Sequence, residues 1–239
     1  MPVLSPRRSV PRVARTVAAA CLAASLLMLD VGVINTAMTS VERRLLARLT
    51  GRHRSRGGDE PLCAAELVRL RDGSRVWVRQ VQPGDAGLLL DGFARLSALS
   101  RWRRFLRAKP ELTPAELRYF TDVDHYDHEA LGAIDAASGR GVAIARYVRS
   151  AHDPSCAEVA VTVIDEWQRR GLATVLLSRT ADRALQAEIS SFTALVSAEN
   201  DPMITLLRRN KAGVQVVHLD RETVEFEIAL APFTRSLAA

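Results

Sequence analysis

From Arg75 to Val81 apolar and polar residues alternate, with Val76 and Val78 on one face, a spacing that predicts a strand. Gln82-Pro83-Gly84-Asp85 opens a helix, with Pro83 suited to its first position, and Leu88–Leu99 continues it. Thr113-Pro114-Ala115-Glu116 reads as a capping box with proline at N1, so a short helix begins there. Ala130–Asp135, Val142–Val148 and Ala157–Ile164 read as three successive strands, with Ser138-Gly139-Arg140-Gly141 as the turn between the first two. Thr174–Ala187 reads as a helix with Leu177, Ala181, Ala184 and Leu185 on one side. Phe192–Val196 is a fifth strand, and Asp201 as N-cap with Pro202 at N1 starts a further helix. Val214–Leu219 and Thr223–Leu230 close the domain as a hairpin. In its second strand Val224, Phe226, Ile228 and Leu230 alternate with Glu225 and Glu227, the mark of a one-sided strand. The expected order is β-α-α-β-β-β-α-β-α-β-β, an α/β domain over residues 70–232 with a mixed central sheet flanked by helices.

The N-terminal part follows a different pattern. Residues 1–16 are rich in Pro and Arg and are expected to be disordered. Val17–Leu29 is an apolar run broken only by Ser25, and its extension to Ile34 takes in Asp30 and Gly32. That falls a little short of the roughly 20 apolar residues a bilayer-crossing helix needs. No small-x-small cleavage site follows, so a signal peptide fits poorly. Arg43–Asp59 is a basic linker with Gly51, Gly57 and Gly58. Residues 1–60 are therefore read as an apolar helix plus a basic linker.

Charge changes the picture only once it is located. Ten arginines against four carboxylates in residues 1–60 account for the whole net charge of +6, and the rest of the chain is balanced. The globular part has no net basic field to attract nucleic acid, so no nucleic-acid partner is expected. Three cysteines without a Cys-x-x-Cys pair indicate neither a disulfide framework nor a zinc ribbon. A reducing, cytoplasmic setting is the simplest reading.

The chain is organised around Gln168–Thr174, which links the apolar stretch Val159–Ile164 to the helix after it. A strand that turns through glycine into a helix leaves backbone N–H groups unpaired, and these, with the helix dipole, form an anion site. Gly171 has no Cβ to hold a phosphate away, and Arg169 and Arg170 add charge. Gln168-Arg169-Arg170-Gly171-Leu172-Ala173 is similar to the Gln/Arg-x-x-Gly-x-Gly/Ala signature of the GNAT superfamily of N-acetyltransferases. The element order is also the GNAT order, and the resemblance covers about residues 74–231. Ser97-x-x-Ser100 followed by Arg103-Arg104-Phe105 resembles the bacterial protein lysine acetyltransferase branch. Separately, Leu29-Asp30-Val31-Gly32-Val33-Ile34-Asn35-Thr36-Ala37, within residues 15–45, resembles the first transmembrane helix of drug transporters of the major facilitator superfamily. No further such segment follows, which excludes transport. A single membrane anchor through 13–38, a fused gene fragment and a buried amphipathic helix stay open.

The GNAT resemblance implies acetyl-coenzyme A as cosubstrate, with its pyrophosphate on Gln168, Arg169, Arg170, Gly171, Leu172, Ala173 and Thr174. It implies that the strand bearing Val161 and Val163 pairs its backbone with the pantetheine arm, and that Asn200 stands near the cofactor. A helix-start role is the alternative for Asn200. Acetyl transfer to an amine needs a held thioester, a deprotonated amine and a stabilised oxyanion. In this family the amine attacks directly, so Cys156 reads as a structural thiol. Glu158, in an Ala-Glu-Val word similar to the protein acetyltransferases, is the expected general base. By alternation it shares a face with Ala160 and Thr162, and partial burial is expected to raise its pKa. A structural pairing with an arginine such as Arg146 is the alternative. Met203–Asn210 lacks the tyrosine that many GNAT enzymes use as general acid. Asp122–Glu129 holds a loose His-x-x-His pattern with carboxylates, read as a polar strand entry; no metal is expected. The expected activity is acetyl transfer to a protein lysine, with a small-molecule amine acceptor or an inactive acyl-coenzyme A binding module as alternatives.

Overall fold

The computed structural model describes residues 65–209 and 213–231. The Val17–Ile34 run, the basic linker, Cys21 and Cys63 lie outside them. No helix among the described residues is long and apolar enough to cross a membrane.

Eight strands form one mixed sheet in the order β1-β2-β3-β4-β5-β6-β8-β7. In chain order they are β1 (Glu66–Arg69), β2 (Arg75–Gln80), β3 (His128–Asp135), β4 (Gly141–Arg149), β5 (Cys156–Val163), β6 (Ser191–Ser197), β7 (Val214–Leu219) and β8 (Thr223–Ala229). Only β5 and β6 run parallel; every other pair is antiparallel. The helices are α1 (Ala86–Ala94), α2 (Ala98–Phe105), α3 (Pro114–Thr121), α4 (Leu172–Gln186) and α5 (Asp201–Arg209).

Alternation decides which face each side chain takes. One face carries Tyr147, Val159, Phe192 and Phe226, which pack with Leu177, Ala181 and Ala184 of α4. Leu185, expected on that side of α4, is exposed; Leu172, Leu176 and Thr180 are buried in addition. The other face carries Arg146, Glu158, Ala160 and Thr162, in register across β4 and β5. α1 packs close on this side, where a Cβ on Gly141 would stand 3.2 Å from the Leu88 carbonyl oxygen.

Three expectations change. The domain starts before Leu70, because β1 pairs with β2; its exposed residues gave no alternation to read. The helix expected to run to Leu99 breaks instead into a short 3-10 turn at Pro83–Asp85, then α1, then α2. Ser97 is the N-cap of α2, accepting from the Ser100 N–H at 3.1 Å, and a side chain used that way marks a new helix start. Asn200, not Asp201, precedes α5, and its Oδ1 accepts from the Met203 N–H at 3.4 Å. The Thr113–Glu116 capping box forms as expected, with bonds at 3.2 and 2.8 Å.

The Asp122–Glu129 stretch spends its polar groups on itself. Asp124 Oδ1 accepts from the N–H groups of Tyr126, Asp127 and His128 at 2.8–3.0 Å. Glu129 is fully buried and accepts from Gln80 (2.9 Å), Arg183 (3.2 Å) and the Ala130 N–H (2.9 Å), with His125 Nδ1 at 2.7 Å. Burial alone would raise its pKa, but the bonds from His125, Gln80 and Arg183 outweigh that and hold it below the usual carboxylate value. A carboxylate depressed on folding stabilises the fold above its unfolded value of about 4.3, and that contribution is lost as pH falls through the lower folded value. Glu129→Gln should therefore cost roughly 2–3 kcal/mol at pH 7, since donors are left facing an amide that can also donate. Urea unfolding at pH 7 and again near pH 4 checks it: the difference between the two proteins should shrink on acidification.

Candidate functional site

β5 ends in a 3-10 turn at Asp165–Trp167, and the chain passes through Gln168–Gly171 into α4. Arg169 (φ 61°) and Gly171 (φ 88°) both take left-handed backbone, which turns successive peptide N–H groups outward. The N–H groups from Arg169 through Thr174 have no acceptor among the described residues. Leu172 is buried at 1% exposure, so it offers the loop only its backbone. Gln168 braces the turn, its Nε2 donating to the Val163 carbonyl (3.2 Å) and the Ser100 hydroxyl (3.3 Å). Asp165 ties the same turn to α2. Burial would raise its pKa, but the Ser97 N–H and the hydroxyls of Ser97 and Ser100 hold it below the usual range.

The two loop arginines differ. Arg170 is committed: it donates to the Glu166 carbonyl (2.7 Å), pairs with Asp72 (3.0 Å) and stacks on Trp167 (4.6 Å). Arg169 is exposed and makes no ion pair among the described residues. Arg71, from the β1–β2 turn, reaches Gly171, its Nε 3.5 Å from where a Cβ would stand. It was missed because only the tertiary fold brings residue 71 to residue 171.

β5 and β6 pair only over Cys156–Glu158 and Ser191–Thr193. The Ile164 N–H bonds to the Val142 carbonyl, so with the β4–β5 register the even-numbered residues of β5 bond to β4. Val161 and Val163 thus turn their N–H and C=O groups toward the β6 side, where no ladder remains. The Val163 carbonyl is taken by Gln168; the Val161 groups and the Val163 N–H are open to an extended ligand.

Glu158 stands at the last β5–β6 pair, on the face of Ala160 and Thr162. It is exposed, not partly buried as expected, so the burial argument for it falls. The pairing with Arg146 is also absent: among the described residues Glu158 makes no hydrogen bond or ion pair, although its charge is felt by Arg104 and Arg146. Beside it, α1, α2 and the sheet enclose a mostly apolar cavity of about 110 Å³, lined by Ala160, Thr162, Phe93, Leu96, Arg104 and Arg146 among others.

A family model described as "Acetyltransferase (GNAT) family" matches residues 96–211. The chain is 33% identical over 165 residues to the acetyltransferase Pat of Mycolicibacterium smegmatis, covering 69% of this chain and 49% of Pat. It is 32% identical over 136 residues to the acetyltransferase PA5475 of Pseudomonas aeruginosa, covering 56% of this chain and 73% of that one. The crystal structure of the GNAT domain of S. lividans PAT superposes with a TM-score of 0.64 at 31% identity, covering 70% of this chain and 97% of that domain. The chain belongs to the GNAT acetyltransferases. It spans about half the length of the curated Pat relative it matches.

Within this GNAT domain Asn200 serves as a helix cap, so its side-chain oxygen is used locally. Glu129 points to the α4 face and is sealed by its donors; Asp127 is exposed and paired with Arg149 at 2.6 Å. Glu225, expected on the exposed side of β8, is buried, its Oε2 has no hydrogen bond, and burial pushes its pKa up. Gly171 gives the test of the loop. Arg71 leaves room for a side chain, but positive φ costs a non-glycine residue about 1–2 kcal/mol. On the expected phosphate-binding role of this loop, Gly171→Glu should therefore stay folded and lose acetyl-coenzyme A binding, because a carboxylate would stand where the phosphates are expected. Calorimetry on the full chain measures this, and unchanged affinity in the folded variant would remove the loop assignment.

Proposed function

We propose that this GNAT domain moves an acetyl group from acetyl-coenzyme A to an amine, a protein lysine side chain, with Glu158 as general base. The observation that carries the reading is one of placement. The open N–H groups of Arg169–Thr174 and the open backbone of Val161 and Val163 lie along one line of chain, and Glu158 stands where β5 and β6 part. The residues present suit acetyl-coenzyme A: outward N–H groups and Arg71 and Arg169 for phosphate, and a free strand edge for the amide-bearing arm.

Bound there, acetyl-coenzyme A supplies a thioester open to attack. Arg169–Thr174 hold the phosphates, with Leu172, Ala173 and Thr174 contributing the first-turn N–H groups of α4. Val161 and Val163 fix the arm in extended form through backbone bonds. Glu158 takes the proton from the acceptor ammonium, directly or through a water, so that a neutral amine meets the carbonyl. The acceptor class is supported by Ser97-x-x-Ser100 with Arg103-Arg104-Phe105, which resembles the protein lysine acetyltransferases, and by the relatives named Pat.

The test is turnover of acetyl-coenzyme A with a protein mixture and with a panel of small amines; transfer confined to the small amines would displace the protein acceptor. Glu158→Gln keeps size and hydrogen bonding but accepts no proton. Loss of a general base typically costs about 10²–10⁴ in rate. Turnover at pH 7 should fall by that order, acetyl-coenzyme A affinity should hold, and activity should partly return at higher pH, where more amine is already neutral. A variant with normal turnover would retire Glu158.

A further inference from the structure

The cavity beside Glu158 is apolar except for three arginines, one aspartate and Thr162. Arg79 and Asp85 neutralise each other through two bonds at 2.6 and 2.7 Å. Arg104 and Arg146 have no such partner. Arg146 is buried at 6% exposure and donates to His128 Nε2 and, at 3.5 Å, to the Tyr119 carbonyl. The rings of Tyr119 and Phe120 lie 4.9 and 4.5 Å from its guanidinium carbon. These groups cradle a cation without neutralising it. Arg104, from α2, lies 5.2 Å from the Phe105 ring and has neither a hydrogen bond nor an ion pair among the described residues. Desolvation lowers the pKa of both, that of Arg146 to about 10.

Two desolvated cations in an apolar cavity are costly unless an anion joins them. Glu158, whose charge is felt by both, contacts neither and is needed free in the reading above. The empty role is therefore that of a ligand's anion. Planar guanidinium groups match a carboxylate, whose two oxygens accept a pair of N–H donors. The position matters as much as the charge. Arg146 pairs in register with Ala160, the next residue after Glu158 on the same face of β5, so an anion held here stands beside the amine that Glu158 would serve.

We propose that Arg104 and Arg146 form a carboxylate subsite for the acceptor, selecting amines that carry a carboxylate close by. This rests on the acetyl-transfer reading above. The carboxylate comes either from an acidic side chain next to a target lysine or from the α-carboxylate of a free amino acid, and the two sources need separate probes.

The experiment compares kcat/KM within matched pairs. One pair is a blocked lysine peptide with Glu or Gln beside the lysine; the other is a free amino acid and its amide. A charged hydrogen bond is worth about 1.5–3 kcal/mol, so the carboxylate member of at least one pair should lead by about ten- to hundredfold. Arg104→Gln is the first variant, because Arg104 is only half-buried and its loss should spare the fold. In it the ratio should fall toward one. Arg146→Lys, which keeps charge but loses the fork, should reduce the ratio in part. No preference in either pair, or an Arg104→Gln variant that slows both members alike, would overturn the subsite; the second result would mean the arginines serve the reaction's own charge. Glutarate binding, measured by calorimetry on the full chain, needs no turnover. If no amine is acetylated yet glutarate binding depends on Arg104, the subsite stands and the transfer reading fails. If amines are acetylated without preference and glutarate does not bind, the reverse holds.

Discussion

The parallel ladder between β5 and β6 lasts for Cys156–Glu158 against Ser191–Thr193 and then stops, although both strands run on. A central strand that loses its neighbour leaves backbone donors and acceptors in the middle of a sheet, which folded proteins avoid unless something else satisfies them. Here the cost is tolerated because each strand is held from its other side, β5 by β4 and β6 by β8 along its length. The residues of the proposed site collect at the gap. Val161 and Val163 face it, Glu158 stands at its origin, and the loop at Arg169–Thr174 closes its far end.

Braces keep that gap in shape. Ser97 and Ser100 bind Asp165, and Gln168 reaches back to the Val163 carbonyl and the Ser100 hydroxyl. These bonds fix the start of α2 against the turn that precedes α4. The loop before α4 and the roof of the cavity are thereby one mechanical unit, and α2 extends it over β6 through the bond from Arg103 to the Glu199 carbonyl at 3.0 Å. Packing on the other face of the sheet supplies the stiffness behind it, with Tyr147 and Phe192 rings 5.8 Å apart under α4.

What the sequence made legible was local. The alternation of Val224, Phe226 and Ile228, the capping box at Thr113 and the glycine turn at Gly171 each carry their signal within a few residues, and each forms as read. Several of the errors share one origin, contacts between distant segments, whereas the break before α2 came from the local cap at Ser97. β1 is a strand only because β2 offers it an edge, so Leu67 and Val68 show no clear alternation in burial. Glu225 looked exposed by its period, yet that face of β8 is covered there and the carboxyl is buried. Glu158 was placed on the correct face by alternation, but its exposure follows from what lies over that face, which no spacing reports. Arg71, Arg104 and Arg146 belong to three separate elements, and their relation to the site exists only in the fold.

The same division explains why net charge was a poor guide to this domain. The globular part is balanced overall, and several of its arginines are held in pairs, as with Arg79 and Asp85, Arg170 and Asp72, or Arg179 and Glu66. An exposed pair such as Arg179 and Glu66 contributes little energy and mainly fixes side-chain position. Three cations without a carboxylate partner among the described residues stand by the proposed site: Arg169 by the open N–H groups of the loop, and Arg104 and Arg146 in the cavity. They fall at the two ends of the line of chain that runs from Glu158 to Thr174. In the proposed reading such a site binds charge at both ends and keeps the middle apolar and backbone-lined, so that a ligand would be held by its ends with the reacting carbonyl between them. Position along β5 would then set the chemistry of the proposed reaction, because Glu158, the one carboxylate of that strand, stands where the ladder ends.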